Sequence, residues 1–190
     1  MAKKVLLFSL TLIIVLVTAA AAQDQMAVDP LLQQGVKELG LRGDIDLEGT
    51  QGDIDVNLTA SYGYFYQRDL ELGIFGNFSR VQDGDIMNYS VGVFGEYHLF
   101  GSSMVGFART VPYLGADLGL AFLDTDYQNE DDESALIFVP RVGIKWFFRD
   151  YVAVDTNVFL ALASDDIYIN DGDADPYDIG INIGLRVYFQ

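Results

Sequence analysis

Tyr177-Asp178-Ile179-Gly180-Ile181-Asn182-Ile183-Gly184-Leu185-Arg186-Val187-Tyr188-Phe189 alternates without a break. Ile179, Ile181, Ile183, Leu185, Val187 and Phe189 fall in one phase, and Asn182, Gly184 and Arg186 in the other. A period of two places these sets on opposite faces of an extended strand. The stretch is long for a soluble strand, usually about 5–6 residues, but suits a tilted strand crossing a bilayer, which needs roughly 9–11. Its polar phase holds a full charge, so the face away from lipid cannot be an ordinary apolar core.

Working outward, seven further segments show the same alternation. Over 37–48, Leu39, Leu41, Ile45 and Leu47 oppose Glu38, Arg42, Asp44 and Asp46. Over 53–65, Leu58, Ala60, Tyr62 and Tyr64 oppose Asn57, Thr59, Ser61 and Gly63, and over 69–80, Leu70, Leu72, Ile74 and Phe78 oppose Glu71, Gly73, Asn77 and Ser79. Over 86–100, Tyr89, Val91, Val93, Tyr97 and Leu99 oppose Asn88, Ser90, Gly92, Glu96 and His98. Over 111–122, Leu114, Ala116, Leu118 and Leu120 oppose Tyr113, Gly115, Asp117 and Gly119. Over 135–148, Leu136, Phe138, Val142, Ile144 and Trp146 oppose Arg141, Gly143 and Lys145, and over 151–163, Val152, Val154, Val158 and Leu160 oppose Asp155 and Asn157.

These segments predict an all-β chain forming an eight-stranded antiparallel up-and-down transmembrane β-barrel over 36–190. A periplasmic β-sandwich or lipocalin-like barrel is the soluble rival, but it would turn the apolar face inward. Aromatic placement argues against it. Tyr62, Tyr64, Tyr97, Trp146, Phe148 and Phe189 cluster near one set of strand ends, and Phe78, Tyr89, Phe122, Phe138 and Tyr177 near the other. Two aromatic girdles flanking an apolar band characterise transmembrane barrels. Tyr66-Gln67-Arg68 and Arg149-Asp150 fit periplasmic turns, while 123–134 and 164–176 are long, acidic and suited to outward loops. The connection at 101–110 is long for a periplasmic turn, and that near 49–52 is short for an outer loop.

On Tyr62-Gly63-Tyr64-Phe65, Leu70-Glu71-Leu72-Gly73, Val142-Gly143-Ile144-Lys145-Trp146-Phe147-Phe148 and the ending from Ile183 to Gln190, the chain resembles the small outer-membrane β-barrels of the OmpX, OmpA N-terminal and opacity-protein type. The resemblance covers about Val36 to the C-terminus. It implies a bacterial outer-membrane location and a final strand that serves as an assembly signal. It specifies fold and place rather than activity.

The N-terminus reads separately. Lys3 and Lys4 precede a run from Val5 to Val17 that is apolar except for Ser9 and Thr11, and Ala20-Ala21-Ala22 closes it. A basic start, an apolar middle and a small-residue end make a secretory signal peptide over 1–22; an uncleaved anchor is the rival. A short polar extension over 23–35 follows. Cleavage after Ala22 takes the 11 basic residues to 9 against 28 acidic ones, a net charge of −19. That excludes the basic footprint of nucleic-acid binding. A hydrophobic fraction of 51% excludes disorder, and with no Cys there are no disulfide staples.

The in-phase ions are Glu38, Arg42, Glu71, Glu96, Asp117, Arg141, Lys145, Asp155 and Arg186. An eight-stranded lumen is about wide enough to be filled by side chains, and buried charges persist only when paired. The expectation is a charge network plugging the lumen, with Asp155 held between Arg141 and Arg186; an ion or proton pathway is the other use of such a row. His98-Leu99-Phe100 lacks the serine of the His-x-Ser pattern that the resemblance associates with lipid-A deacylases, so no catalytic residue is assigned. Asp171-Gly172-Asp173-Ala174-Asp175 lacks the sixth-position glycine and distal glutamate of an EF-hand. Asp124, Asp126, Glu130, Asp131, Asp132 and Glu133, with Asp165, Asp166, Asp171, Asp173, Asp175 and Asp178, read as solvated charge able to bridge divalent cations weakly to lipopolysaccharide. Asn57, Asn77 and Asn88 begin Asn-x-Ser/Thr triplets that are accidents of composition.

The expected role is structural or surface-interacting, with outer-membrane lipid and lipopolysaccharide as partners, no cofactor, and the surface ligand unknown. A narrow channel or small-molecule transport barrel is the alternative, and a lipid-modifying enzyme ranks below it. Edman sequencing of the protein recovered from the envelope is expected to start at or near Gln23; a sequence starting at Met1 rejects the cleavage site.

Overall fold

The computed structural model describes residues 32–45, 56–81, 86–99, 110–125, 133–170 and 173–190. The segments over 1–22 and 23–31 lie outside the described residues. Ten strands follow in order: β1 Lys37–Ile45, β2 Val56–Gln67, β3 Leu70–Val81, β4 Ile86–His98, β5 Thr110–Thr125, β6 Glu133–Arg149, β7 Val152–Ala163, β8 Tyr168–Asn170, β9 Asp173–Asp175 and β10 Tyr177–Phe189. Eight of them close a barrel in the order β1-β10-β7-β6-β5-β4-β3-β2. Every neighbour runs antiparallel, and the seam pairs Lys37 with Phe189 and Ile45 with Ile181. Closure leaves no strand edge exposed in a medium that cannot hydrogen-bond it.

The two phases of the alternation separate onto two surfaces. Ile74 and Ile179 are each 61% exposed, and Val142 is 54% exposed. They belong to a continuous outer belt with Leu41, Val91, Leu118 and Leu136. Apolar exposure on this scale would bind or aggregate in water, so the belt faces lipid. Among the described residues no helix is long and apolar enough to cross a membrane, and the strands do the crossing. Tyr62, Tyr64, Tyr97 and Phe189 are exposed toward the end where β1 begins and β10 finishes, with Trp146 and Phe148 half-buried in the same phase. Phe78, Tyr89, Phe122, Phe138 and Tyr177 ring the opposite end. The Trp146 indole donates to Thr156 Oγ1 at 3.0 Å, tying β6 to β7 within the girdle.

The lumen is stratified, which the alternation alone does not show. At the end where β1 begins, Leu32, Val36, Phe65, Val111, Phe147, Ala153 and Tyr188 form an apolar layer. Residues 32–36 run across this mouth: Gly35, in the left-handed region at φ 95°, donates to the Phe65 carbonyl at 3.0 Å, and Asp69 N–H donates to Leu32 at 3.1 Å. At the opposite end, Phe75, Phe94, Ala121, Ala135, Ile137 and Ile167 form a second apolar layer. The ions lie between.

One feature differs from the sequence reading. The stretch 164–176 is not wholly irregular, because Tyr168–Asn170 and Asp173–Asp175 pair as a small hairpin. Strands of three residues are too short for alternation to reveal. Pro140 sits inside β6, and the ladder to β7 passes from Phe138 to Arg141 without Val139 or Pro140. Proline has no N–H to give a ladder.

Leu118→Arg or Val142→Arg should cost roughly 2–4 kcal/mol near the bilayer midplane. Urea titration of folding into lipid vesicles measures this, with the lumen variant Asn182→Ala expected to be mild. Equal tolerance of all three would reject the face assignment.

Candidate functional site: the charged lumen

Strand phase delivers each ion to the interior. Glu38 and Arg42 come from β1, Glu71 from β3, Glu96 from β4, Asp117 from β5, Arg141 and Lys145 from β6, Asp155 from β7 and Arg186 from β10. All nine are buried. The lumen face of β2 carries small residues instead: Thr59, Ser61 and Gly63. Long side chains rooted elsewhere occupy that space. A Cβ on Gly63 would collide with the Glu71 carboxylate, and one on Gly40 would lie 2.9 Å from Arg186 Nη1.

Glu96 is the hub. Its Oε1 accepts from Arg141 Nη2 at 2.8 Å and lies 3.3 Å from Arg186 Nη2. Its Oε2 lies 2.7 Å from the Lys145 ammonium. Lys145 Nζ also reaches Glu38 Oε2 at 2.8 Å and Glu71 Oε2 at 3.2 Å. It stands 5.3 Å from the Tyr113 ring centroid and 5.6 Å from that of Tyr188, within cation–π range. Arg186 pairs with Glu38 and donates to Asp155 Oδ2 through Nε at 3.0 Å and Nη2 at 2.6 Å. Toward the second apolar layer, Asp117 receives Arg141 on one oxygen and Arg42 on the other, the latter at 3.3 Å. The network is thus continuous from Arg42 to Lys145.

One expected contact is absent. Asp155 is held by Arg186 and by the Tyr113 hydroxyl at 2.8 Å, whereas Arg141 goes to Glu96 and Asp117. Register explains this. Lys145 lies opposite Asp155, and Arg141 lies opposite Phe159, nearer the second apolar layer. The Tyr113 ring also crosses Gly143, where a Cβ would meet it at 2.7 Å.

His98 lies deep in the lumen. Its ring stacks on Phe65 at 5.3 Å between centroids, and Nδ1 is 3.2 Å from the Asp69 carbonyl oxygen. Its Nε2 faces the Glu71 and Glu96 carboxylates, and the Tyr113 ring lies 6.0 Å away between centroids. Asn57 and Asn77 hydrogen-bond each other, and Asn77 Nδ2 donates to Thr59 Oγ1 at 2.9 Å. Asp173 and Asp175 belong to β9, while Asp171, Asp126 and 130–132 fall outside the described residues.

The residues missed by sequence reasoning are the apolar ones in the polar phase. Phe75, Phe94, Phe147, Phe159 and Tyr188 alternate in step with Glu71, Glu96, Lys145, Asp155 and Arg186. That shared phase was the available signal.

No protein-family model matches the sequence, and no curated protein matches it either. Solved structures do share the fold. The N-terminal β-barrel domain of Pseudomonas aeruginosa OprF superposes with a TM-score of 0.61 at 15% identity, covering 82% of this chain and 98% of that one. Neisserial surface protein A gives 0.51 at 17% identity over 81% and 95%, and the P. aeruginosa outer-membrane protein OprG gives 0.50 at 11% over 83% and 97%. The chain has the closed eight-stranded barrel fold of small outer-membrane proteins. At these identities the likeness is one of fold.

Asp155→Ala should cost about 3–5 kcal/mol, the range for breaking a buried pair. In double-mutant cycles followed by denaturant midpoint, Asp155 should couple more strongly to Arg186 than to Arg141. Equal coupling to both arginines would reject the observed partition.

Proposed function

We propose that this protein is an integral bacterial outer-membrane barrel with a structural or surface-interaction role, exercised through its acidic outer connections rather than through its lumen. The observation that carries this reading is the sealed interior. A paired ionic layer lies between two apolar layers, one closed by Leu32 and Val36 and the other by Ile167. An ion crossing it would shed its hydration against phenylalanine and then break buried pairs, each step unfavourable.

Two anchors support work at the outer end. Leu136 and Ser164 exchange hydrogen bonds, backbone N–H to carbonyl at 2.9 Å and N–H to Oγ at 3.0 Å, and Ile167 is buried just beyond. This fixes the connection carrying the β8–β9 hairpin, whose Asp165 and Asp166 are exposed. The acidic segments suit weak divalent-cation bridging to the phosphates of lipopolysaccharide. Outer-membrane lipid is the other partner.

Planar-bilayer recording on the refolded protein is expected to show no unitary conductance. Steady single-channel steps in the unmodified protein would overturn this reading in favour of a narrow channel. Altered lipid A after incubation with the protein would favour an enzyme.

A further inference from the structure

The described lumen carries five buried carboxylates, Glu38, Glu71, Glu96, Asp117 and Asp155, against four fixed cations, Arg42, Arg141, Lys145 and Arg186. One negative charge is left over. It is not spread evenly. Asp117 has two arginines, Glu96 has three cations, Glu38 has two, and Asp155 has Arg186 through two nitrogens plus the Tyr113 hydroxyl. Glu71 has only Lys145, at 3.2 Å, and its Oε1 has no hydrogen-bond partner.

His98 stands beside this carboxylate. Its Nε2 is buried, lacks a hydrogen-bond partner, and lies 3.9 Å from Glu71 Oε2 and 3.8 Å from Glu96 Oε2. Its Nδ1 faces the Asp69 carbonyl, an acceptor, so the ring proton belongs on Nδ1. A neutral ring would then turn a bare lone pair toward two carboxylates. One proton in that gap removes the electrostatic clash and the surplus charge together.

We propose that the lumen binds one exchangeable proton at the Glu71–His98 pair. The groups facing the pair are Glu38 from β1, Glu96 from β4, Tyr113 from β5, Lys145 from β6, and Arg186 and Tyr188 from β10. Asp155 of β7 lies beyond, held by Arg186 and Tyr113, and from β2 Gly63 lies against the Glu71 carboxylate while the Phe65 ring stacks on His98. The Asp69 carboxylate turns to Arg68 at 3.5 Å. A metal ion fits less well. The ligand atoms of Glu71, Glu96 and His98 lie within 4.8 Å of one another, but both carboxylates already hold the Lys145 ammonium, which a metal would have to face or expel.

The proton has a measurable consequence. In the unfolded chain Glu71 and His98 return to water and release it at neutral pH. Folding therefore takes up one proton, and stability falls as pH rises. Between pH 7 and 9 the folding equilibrium constant should drop about tenfold per pH unit until the folded pair releases its proton. Urea titrations of the refolded protein in micelles across this range measure the slope. Glu71→Gln should remove the slope without lowering the midpoint, whereas Glu96→Gln should lower it, because Glu96 holds three cations. In nitrogen-15 NMR the His98 ring should carry a proton on Nδ1.

A flat pH profile in the unmodified protein overturns the proposal. So does a Glu71→Gln loss as large as that of Glu96→Gln, or a neutral His98 protonated on Nε2. Stabilisation by added Zn²⁺ that disappears in His98→Asn would make the trio a metal site and overturn it equally. If Glu71→Gln does not fold, the slope and the ring spectrum of the unmodified protein still decide.

Discussion

An eight-stranded barrel encloses a space no wider than the side chains that fill it, and here those side chains are charged. Such an interior must largely neutralise itself, since each unpaired ion would cost several kcal/mol. Much of the architecture answers to that requirement. Glu96 gathers three cations because it lies at the level where Arg141, Lys145 and Arg186 converge. The bare lumen face of β2 is the complement of this crowding. Gly63 and Ser61 leave room for Glu71 and Arg186 to extend across the axis. A larger residue at either position would displace an ion from its partners rather than fill a void.

The apolar layers are part of the same solution. By covering the ions at both ends they exclude water, which strengthens each pairing and raises the cost of any charge left over. Both covers borrow residues from outside the barrel strands. Leu32 arrives from the segment before β1, and Ile167 from the connection after β7. The lumen is therefore charged between the two covers and apolar within them.

The alternation in the sequence reveals a great deal because its cause is geometric. Successive residues of a strand face opposite ways, so Leu185 and Arg186 cannot share a surface, and one charged residue fixes the phase of a whole segment. Closed topology, lipid face and lumen face all follow. What phase cannot give is height. Whether Arg141 or Lys145 stands opposite Asp155 depends on the β6–β7 turn, where the pairing shifts between Phe147 and Arg149. A local irregularity of that kind has no period. Layering was hidden for a different reason. Phe75, Phe94 and Phe147 sit in the polar phase, and only the full set of registers shows that they gather at two levels flanking the ions.

The ion pairs also join residues far apart along the chain. Glu38 meets Lys145 across 107 positions and Arg186 across 148. The Glu38–Arg186 contact cannot exist before the seam joins, because β1 and β10 become neighbours only then. A sheet with β10 not yet joined to β1 would carry Glu38 without Arg186, and its interior would admit water. Lumen neutrality is thus acquired in the final act of assembly rather than strand by strand. Such late, non-local contacts favour slow formation and an all-or-none native state.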